Sequence, residues 1–231
     1  MSGESELAAL RQQAEACRAC PLSRGRHRVV FGEGDPHARL AFVGEAPGEQ
    51  EDMQGRPFVG AAGQLLDRIL AAAGIARSEV YITNTVMCRP PGNRVPTEEE
   101  RAACRPFFDA KMRLIAPRIV VLLGATAAQS VLGPGVRITR DRGRPVERQG
   151  VTYVPTFHPA ALLRDPSKKR PVWEDIQRVR DLYRSLPPEG HVPEHPPATP
   201  SASTDGRTPA EPAGGGRPGE AAALQLRLPV P

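Results

Sequence analysis

The sequence contains no run of 18 apolar residues among its 231, so no segment is suited to cross a membrane as a helix. The N-terminus, MSGESELAAL, lacks the basic and apolar regions of a secretory signal peptide. We therefore expect a cytoplasmic protein without a membrane partner. Cysteines number only four, and in a reducing compartment they are expected to be metal ligands, catalytic groups or core residues rather than disulfides.

Charge and proline are unevenly distributed along the chain. The last 45 residues hold 11 of the 26 prolines, and they carry three arginines against five carboxylates. Such a segment cannot form a packed core. We expect one folded domain over residues 1–186, a disordered Pro/Gly/Ser-rich linker over 187–223, and a short peptide at 224–231. The folded part carries 28 basic and 21 acidic residues, which permits a polyanionic partner.

Apolar runs alternate with amphipathic stretches through the first 186 residues. The predicted strands cover residues 39–43, 80–86, 118–123 and one or two stretches within 136–154. The predicted helices cover residues 4–16, 61–75, 97–116, 125–132 and 172–186. This alternation predicts an α/β fold, with a parallel sheet covered by helices on both faces.

The loop after the first buried strand, residues 44–60, carries the densest group of unusual residues. It begins GEAPG and gathers four carboxylates in eight residues, a density that requires solvent screening or a functional use. It ends GRPFVG, which places Phe58 between glycines as a possible stacking platform for a planar ligand. The alternative is a hairpin-like surface loop whose Phe58 packs into the core.

Polar residues also follow the other strands. In a parallel sheet, Glu45, Asn84 and His158 all lie just beyond carboxyl ends of strands, so we expect them to converge on one crevice. The Asn84 amide could pair with N3–H and O4 of uracil, whereas cytosine presents the opposite pattern. Taken singly, Asn84 could be a turn residue and His158 a structural one.

The cysteines come from three separate segments. Cys17 and Cys20 form a C-x2-C pair stopped by a proline, whereas Cys88 and Cys104 stand alone. A zinc ribbon would usually close with a second tight pair, and four thiolates from three segments suit an iron–sulfur cluster at least as well. Spacing alone leaves a cluster, zinc and no metal open.

Several motifs taken together resemble those of the family 4, iron–sulfur uracil-DNA glycosylases. They are GEAPG at 44–48, GRPFVG at 55–60, Thr83-Asn84 before Cys88-Arg89-Pro90-Pro91, and His158-Pro159-Ala160, together with the cysteine spacing. The resemblance implies a three-layer α/β/α fold with a central four-stranded parallel sheet, and a [4Fe-4S] cluster on Cys17, Cys20, Cys88 and Cys104. It further implies hydrolysis of the N-glycosidic bond of deoxyuridine in single- or double-stranded DNA, as in base excision repair. A related branch that forms a covalent adduct with DNA differs at a cluster cysteine and carries a longer, basic loop.

The resemblance also implies roles for individual residues. Phe58 would stack on the flipped uracil, Asn84 would read its edge, and His158 would donate a hydrogen bond to O2. Glu45 would position water, Gly44 and Ala46 would line the pocket, and Glu51 would occupy the space of a thymine methyl group. Family 1 relatives have an aspartate where this chain has Ala46, so no general base is expected there.

DNA contacts are predicted for residues on both sides of His158. Leu162, Leu163 and Arg164 are candidates to wedge into the vacated stack, or else form a helix turn packed on the core. Lys168, Lys169, Arg170 and the arginines at 137, 140, 142 and 144 are candidate phosphate contacts, or a solvated basic face.

The C-terminal peptide QLRLPV, from Gln225 to Val230, resembles the short segments by which bacterial repair proteins dock on the replication sliding clamp. We expect the protein to be a monomer. Two other functions remain open: a glycosylase for another deaminated base, such as hypoxanthine or xanthine, and a non-catalytic iron–sulfur DNA-binding or redox protein.

Overall fold

A six-stranded mixed sheet organises the computed structural model, which describes residues 3–187. The strands are β1 (Glu33–Gly34), β2 (Leu40–Gly44), β3 (Tyr81–Asn84), β4 (Ile119–Leu123), β5 (Val146–Arg148) and β6 (Val151–Thr156). Their order is β1-β3-β2-β4-β6-β5, in which β3, β2, β4 and β6 are mutually parallel. The predicted four-stranded parallel centre is confirmed, and the short strands β1 and β5 extend it antiparallel at the two edges.

Helices cover both faces of the sheet. They are α1 (Gly3–Ala16), α2 (Glu49–Gln54), α3 (Ala61–Ala73), α4 (Glu98–Ile115), α5 (Ala125–Leu132), α6 (Ile138–Asp141), α7 (Pro159–Arg164) and α8 (Lys169–Ser185). Because side chains alternate along a strand, Phe42 packs on the face that contains Leu66 of α3 and Ile176 of α8. Val43 packs on the opposite face with Phe108 of α4. The three-layer α/β/α prediction is therefore confirmed.

Local signals located the helix ends well. Thr97 caps α4 by a reciprocal pair of bonds: its side chain accepts from the Glu100 amide at 3.2 Å, and the Glu100 carboxylate accepts from the Thr97 amide at 2.8 Å. Two elements differ from the prediction. The motif loop contains the short helix α2, and residues 136–154 contain α6 before the β5–β6 hairpin.

The predicted disordered linker (187–223) and clamp peptide (224–231) lie almost entirely outside the described residues. Within residues 3–187, no helix is both long enough and apolar enough to cross a membrane.

The four parallel strands place their carboxyl ends along one edge of the sheet. Strands β2 and β4 lie side by side at its centre, although β3 comes between them in the chain, so the direction of winding reverses at that point. In open α/β sheets, ligands bind in the crevice beyond this reversal. The fold therefore directs attention to the loops after β2, β3, β4 and β6.

Candidate active site

A cleft of about 840 Å³ opens at the carboxyl edge of the sheet. Its walls include Glu45 after β2, Asn84 at the end of β3, Gly124 after β4 and His158 after β6, together with Phe58. The predicted convergence of Glu45, Asn84 and His158 is thus present in the structure, and Phe58 belongs to the same cleft. A pocket of this size accommodates a nucleotide-sized ligand.

A short, strained loop presents Phe58. Its φ of 52° lies in the left-handed region, which is unusual for a bulky residue and costs about 1–3 kcal/mol. The loop is held from behind by Glu51, because one carboxylate oxygen of Glu51 accepts from the amides of Val59 and Gly60, each at 2.8 Å. A helix begins directly after the loop at Ala61. These contacts fix the phenyl ring at the cleft.

The rings of Phe58 and His158 lie face to face, with centroids 5.5 Å apart and planes 30° apart. His158 also caps α7, where its Nδ1 accepts from the Ala160 amide at 3.1 Å. In the neutral ring the proton therefore resides on Nε2. Burial, reinforced by nearby Arg164 and opposed by Glu51, lowers the pKa of His158 to about 4. At neutral pH, His158 is an uncharged hydrogen-bond donor.

The Asn84 side chain carries an unpaired polar atom. Asn84 is only 2% exposed, and its Oδ1 is buried without a hydrogen-bond partner among residues 3–187. Gly44 provides the necessary space, because a Cβ at that position would lie 2.3 Å from Asn84 Oδ1 and 2.6 Å from Phe58 Cζ. A buried acceptor without a partner costs about 1–3 kcal/mol, so this site favours a ligand that donates a hydrogen bond.

Comparison with known proteins now identifies the family. The family model described as the Uracil DNA glycosylase superfamily matches residues 31–177. The chain belongs to this superfamily. It is 48% identical over 177 residues to the type-4 uracil-DNA glycosylase of Thermotoga maritima, an alignment that covers 75% of this chain and 92% of the relative.

Two other type-4 uracil-DNA glycosylases are nearly as similar. That of Sulfurisphaera tokodaii is 41% identical over 185 residues, covering 76% of this chain and 84% of the relative. That of Archaeoglobus fulgidus is 41% identical over 175 residues, covering 72% of this chain and 88% of the relative. The resemblance to the family 4 uracil-DNA glycosylases inferred from the motifs is confirmed.

The carboxylates of the motif loop are used in different ways in this uracil-DNA glycosylase fold. Glu45 and Ala46 line the cleft, and the main-chain oxygen of Glu45 accepts from the Thr85 hydroxyl at 2.8 Å. Asp52 is fully buried and accepts from the amide of His27 at 3.0 Å, so it faces away from the cleft. Glu51 lines the cleft but is largely committed to holding the Phe58 loop. Its role against thymine stays a prediction.

The predicted wedge requires a correction. Leu162 is 1% exposed and belongs to the core under α7, so it is not available to enter DNA. Leu163, the next residue, is 47% exposed and stays a candidate. Arg164 and Lys168 line the cleft, whereas Lys169 is exposed at the start of α8 and does not line it; their contacts with DNA stay a prediction.

Some predicted phosphate contacts already have partners within the domain. Arg142 forms a bidentate salt bridge with buried Asp175, with N–O distances of 3.0 and 2.8 Å. Asp175 also accepts a hydrogen bond from the Thr156 hydroxyl at 2.6 Å. Arg140 pairs with Asp141 at 2.7 Å. The Arg142 network tethers α8 to the end of β6, two residues before His158, which assigns Arg142 a structural role.

Sequence reasoning missed the residues that follow β4. Gly124, with φ of 95°, lies so close to His158 that a Cβ there would be 3.1 Å from His158 Cβ. The same signal that identified Glu45, a glycine directly after a buried apolar run, marks Gly124 in the stretch RIVVLLG.

The four cysteines lie near one another in the fold, with Cys104 in the second turn of α4. All are free thiols, and Cys88 and Cys104 are buried. Burial raises the pKa of Cys88, although the hydrogen bond and the positive charge of Arg26 oppose the shift, and burial also raises the pKa of Cys104 to about 12. Among the described residues, no three Cys, His, Asp or Glu side chains are arranged closely enough to hold a metal ion. Four thiols drawn from three segments nevertheless have the donor chemistry that an iron–sulfur cluster requires.

A buried lysine connects the cysteine region to the cleft. Lys111 of α4 is fully buried, and its ammonium donates to the Phe31 carbonyl and, at 2.8 Å, to the Thr83 hydroxyl. Thr83 precedes Asn84 on β3. The helix that carries Cys104 is thus hydrogen-bonded to the strand that ends at Asn84.

Proposed function

We propose that this chain excises uracil from DNA by hydrolysing the N-glycosidic bond of deoxyuridine and leaving an abasic site. The family assignment supports this activity. The observation that carries it is the buried, unpaired Oδ1 of Asn84, a residue that lines the same cleft as Phe58 and His158. A base must leave the duplex stack to reach this cleft, at a cost of a few kcal/mol that is lowest for mismatched or single-stranded uracil.

Uracil provides the hydrogen-bond donor that the unpaired Asn84 Oδ1 lacks. Its N3–H donates to Asn84 Oδ1, and the amide NH2 of Asn84 donates to O4. Cytosine has an acceptor at N3 and an amine at C4, so it would leave the buried oxygen without a donor. Phe58, fixed by its loop, provides an aromatic face against which the extruded base stacks.

His158 stabilises the leaving group. When the C1′–N1 bond breaks, its electron pair passes to uracil and the negative charge spreads onto O2. The Nε2–H of neutral His158 donates to that oxygen, in the manner of an oxyanion hole. Because the pKa of His158 is lowered to about 4, the ring can supply this hydrogen bond without carrying a charge.

A water molecule completes the hydrolysis at C1′ of the sugar. Glu45 lines the cleft next to Ala46, and we assign it to orienting this water and to balancing the positive charge that develops on the sugar. The water oxygen bonds to C1′, and its released proton balances the uracil anion.

The cofactor that we propose is a [4Fe-4S] cluster held by Cys17, Cys20, Cys88 and Cys104. When bound, it would link three chain segments and so support folding. Arg26 favours this assembly, since its guanidinium donates to Cys88 Sγ at 3.2 Å and to the Cys17 carbonyl at 3.0 Å. The type-4 relatives and the cysteine chemistry support the assignment.

The proposed partners are uracil-containing DNA and, through residues 225–230, the replication sliding clamp. A tethered peptide would raise the effective concentration of the enzyme at newly made DNA. Binding of a peptide spanning residues 222–231 to purified clamp tests this; no binding at high micromolar concentration contradicts it. Monomeric state and cytoplasmic location stay predictions.

A gel assay separates the candidate functions. Single-stranded and duplex oligonucleotides carrying uracil, hypoxanthine or xanthine are incubated with the chain, and abasic sites are then cleaved by alkali. We expect products from uracil, and no uracil product from a His158→Ala variant that still binds DNA. Cleavage only at purine lesions would indicate another deaminated base, and binding without any product would indicate a non-catalytic protein.

A further inference from the structure

A second cleft, of about 570 Å³, lies beside the cysteine segment and carries a strong positive charge. Its walls include four arginines and a histidine, with one acidic residue. They are Arg11, Arg18, Arg26, Arg28, His27 and Glu15. We refer to this feature as the arginine cleft. Like charges concentrated around a polar cavity raise the local potential and attract a polyanion.

Three of the four arginines of this cleft donate to main-chain carbonyls, and Arg26 donates in addition to Cys88 Sγ at 3.2 Å. Arg11 donates to the Gly32 carbonyl at 3.0 Å, Arg18 to the Cys17 carbonyl at 2.9 Å, and Arg26 to the Glu15 carbonyl at 2.8 Å. Main-chain carbonyls orient a guanidinium without neutralising it. None of the ion pairs found within residues 3–187 includes any of the cleft's four arginines.

Other arginines of the domain differ in this respect. Arg56, Arg94 and Arg142 are each matched to a carboxylate, at 2.6, 2.7 and 2.8 Å respectively. The arginine cleft therefore carries four guanidiniums that form no ion pair with a carboxylate of residues 3–187, and guanidiniums in this state are suited to bind phosphate groups.

The arginine cleft and the active-site cleft that contains Asn84 and His158, called the uracil cleft from here on, lie at opposite ends of α2. Glu49 and Gln50, at the start of α2, line the uracil cleft, whereas Gln54 and Gly55, at and just beyond its end, line the arginine cleft. A helix of six residues spans about 9 Å, roughly three nucleotides along one DNA strand at 3.4 Å each.

The outer surface of α2 offers little repulsion to a DNA strand. Glu49 is exposed, but its charge is partly balanced by Arg89 at 3.5 Å, and the exposed Met53 and Gln54 are uncharged. The arginine cleft is also attached to α2 through His27. The carboxylate of buried Asp52, on α2, accepts a hydrogen bond from the His27 amide and lies 2.8 Å from the His27 ring nitrogen Nδ1.

We infer that the arginine cleft binds the phosphodiester backbone of the substrate strand, about three nucleotides from the flipped uridine. This inference rests on the proposed function. It assigns to the region beside the cysteines a role in holding DNA, in addition to any role in holding a cluster.

The experiment compares two arginine variants with a control of equal charge. Arg18→Gln/Arg28→Gln removes two exposed guanidiniums of the cleft, and Arg28→Gln alone serves if the double variant folds poorly. The control, Arg113→Gln/Arg184→Gln, removes two exposed arginines near the ends of α4 and α8. Arg113 lies in the last turn of α4, just before β4 begins, and neither Arg113 nor Arg184 lines either cleft.

Binding of a fluorescent, uracil-containing single strand of about 20 nucleotides is measured against salt concentration. The plot of log K against log salt concentration has a negative slope, and each lost phosphate contact reduces the magnitude of this slope by about 0.7. The magnitude should therefore fall by about 1.4 in the double variant and by about 0.7 in the single variant. Excision from an oligonucleotide of about five nucleotides with uracil at its centre, which leaves two nucleotides on each side and so is too short to reach the arginine cleft, should be unchanged. Iron per chain should equal that of the wild type.

Three results would overturn the inference: a salt slope equal to that of the control variant, an equal loss of excision on the short oligonucleotide, or a loss of iron that accounts for the weaker binding. If the wild-type chain excises no uracil, the proposed function fails. The salt slopes on the long strand still report on the arginine cleft, so the two failures are distinguishable.

Discussion

Replacing Glu51 tests how the loop that carries Phe58 is held. The Glu51 carboxylate accepts from the amides of Val59 and Gly60, and no other side chain is seen to bond to these two amides within residues 3–187. In Glu51→Ala both amides lose their acceptor. Phe58, which already occupies an unfavourable backbone conformation, is then free to relax away from His158.

The magnitude follows from these two hydrogen bonds. A hydrogen bond to a charged group contributes about 1.5–3 kcal/mol, and the lower figure applies here because Glu51 is only half-buried. Two such bonds amount to about 3 kcal/mol, equivalent to a fall of about 100-fold in the population of the aligned loop. We expect kcat/KM for uracil excision to fall by a similar factor.

The assay is single-turnover excision from a uracil-containing single strand, with Glu51→Gln as the matched control. The glutamine side chain of this control keeps an oxygen acceptor but loses the charge, so its loss of activity should be about tenfold. An activity of Glu51→Ala within about threefold of the wild type would refute the reasoning. A thymine-containing duplex measured in parallel tests the other expected role of Glu51, because gain of thymine excision would support exclusion of the methyl group.

Three further predictions concern the cleft. The pKa of His158 is lowered to about 4 in the folded protein, so the unfolded chain binds a proton at this residue first as the pH falls below about 6.5. The free energy of unfolding should therefore decline by up to about 3 kcal/mol between pH 6.5 and pH 4. In urea titrations, the His158→Gln variant should show a weaker dependence of this free energy on pH. Asn84→Asp should narrow the preference for uracil over cytosine by about tenfold in competitive excision, and intact selectivity would remove Asn84 from base reading. In Gly44→Ala, the added Cβ would lie 2.3 Å from Asn84 Oδ1. This variant should lose most of its excision activity, and its free energy of unfolding should fall by about 1–3 kcal/mol in the same titrations. Excision at the wild-type rate would show that the cleft does not need the space that Gly44 leaves beside Asn84.

Much of the fold was predictable because its signals are local. Apolar runs that stop at a glycine or a polar residue located three of the parallel strands, and the Thr97 cap located the start of α4. The rule that parallel strands place their carboxyl ends along one edge then brought Glu45, Asn84 and His158 together. Neither step requires knowledge of distant contacts.

Local patterns in the chain therefore specify the α/β architecture, the edge of the sheet that bears the site, and the residues available there. How those residues are used depends on contacts that exist only in the folded protein. Helix α7 has only six residues, too few for a helical pattern to tell buried Leu162 from exposed Leu163. The commitment of Glu51 to the Phe58 loop depends on amides 8 and 9 residues away. The positions of the guanidiniums in the arginine cleft depend on main-chain carbonyls, which carry no sequence signal, such as that of Gly32, 21 residues from Arg11. Such contacts form only when the chain has folded, because side-chain pairing at that separation is set by packing and not by local propensity.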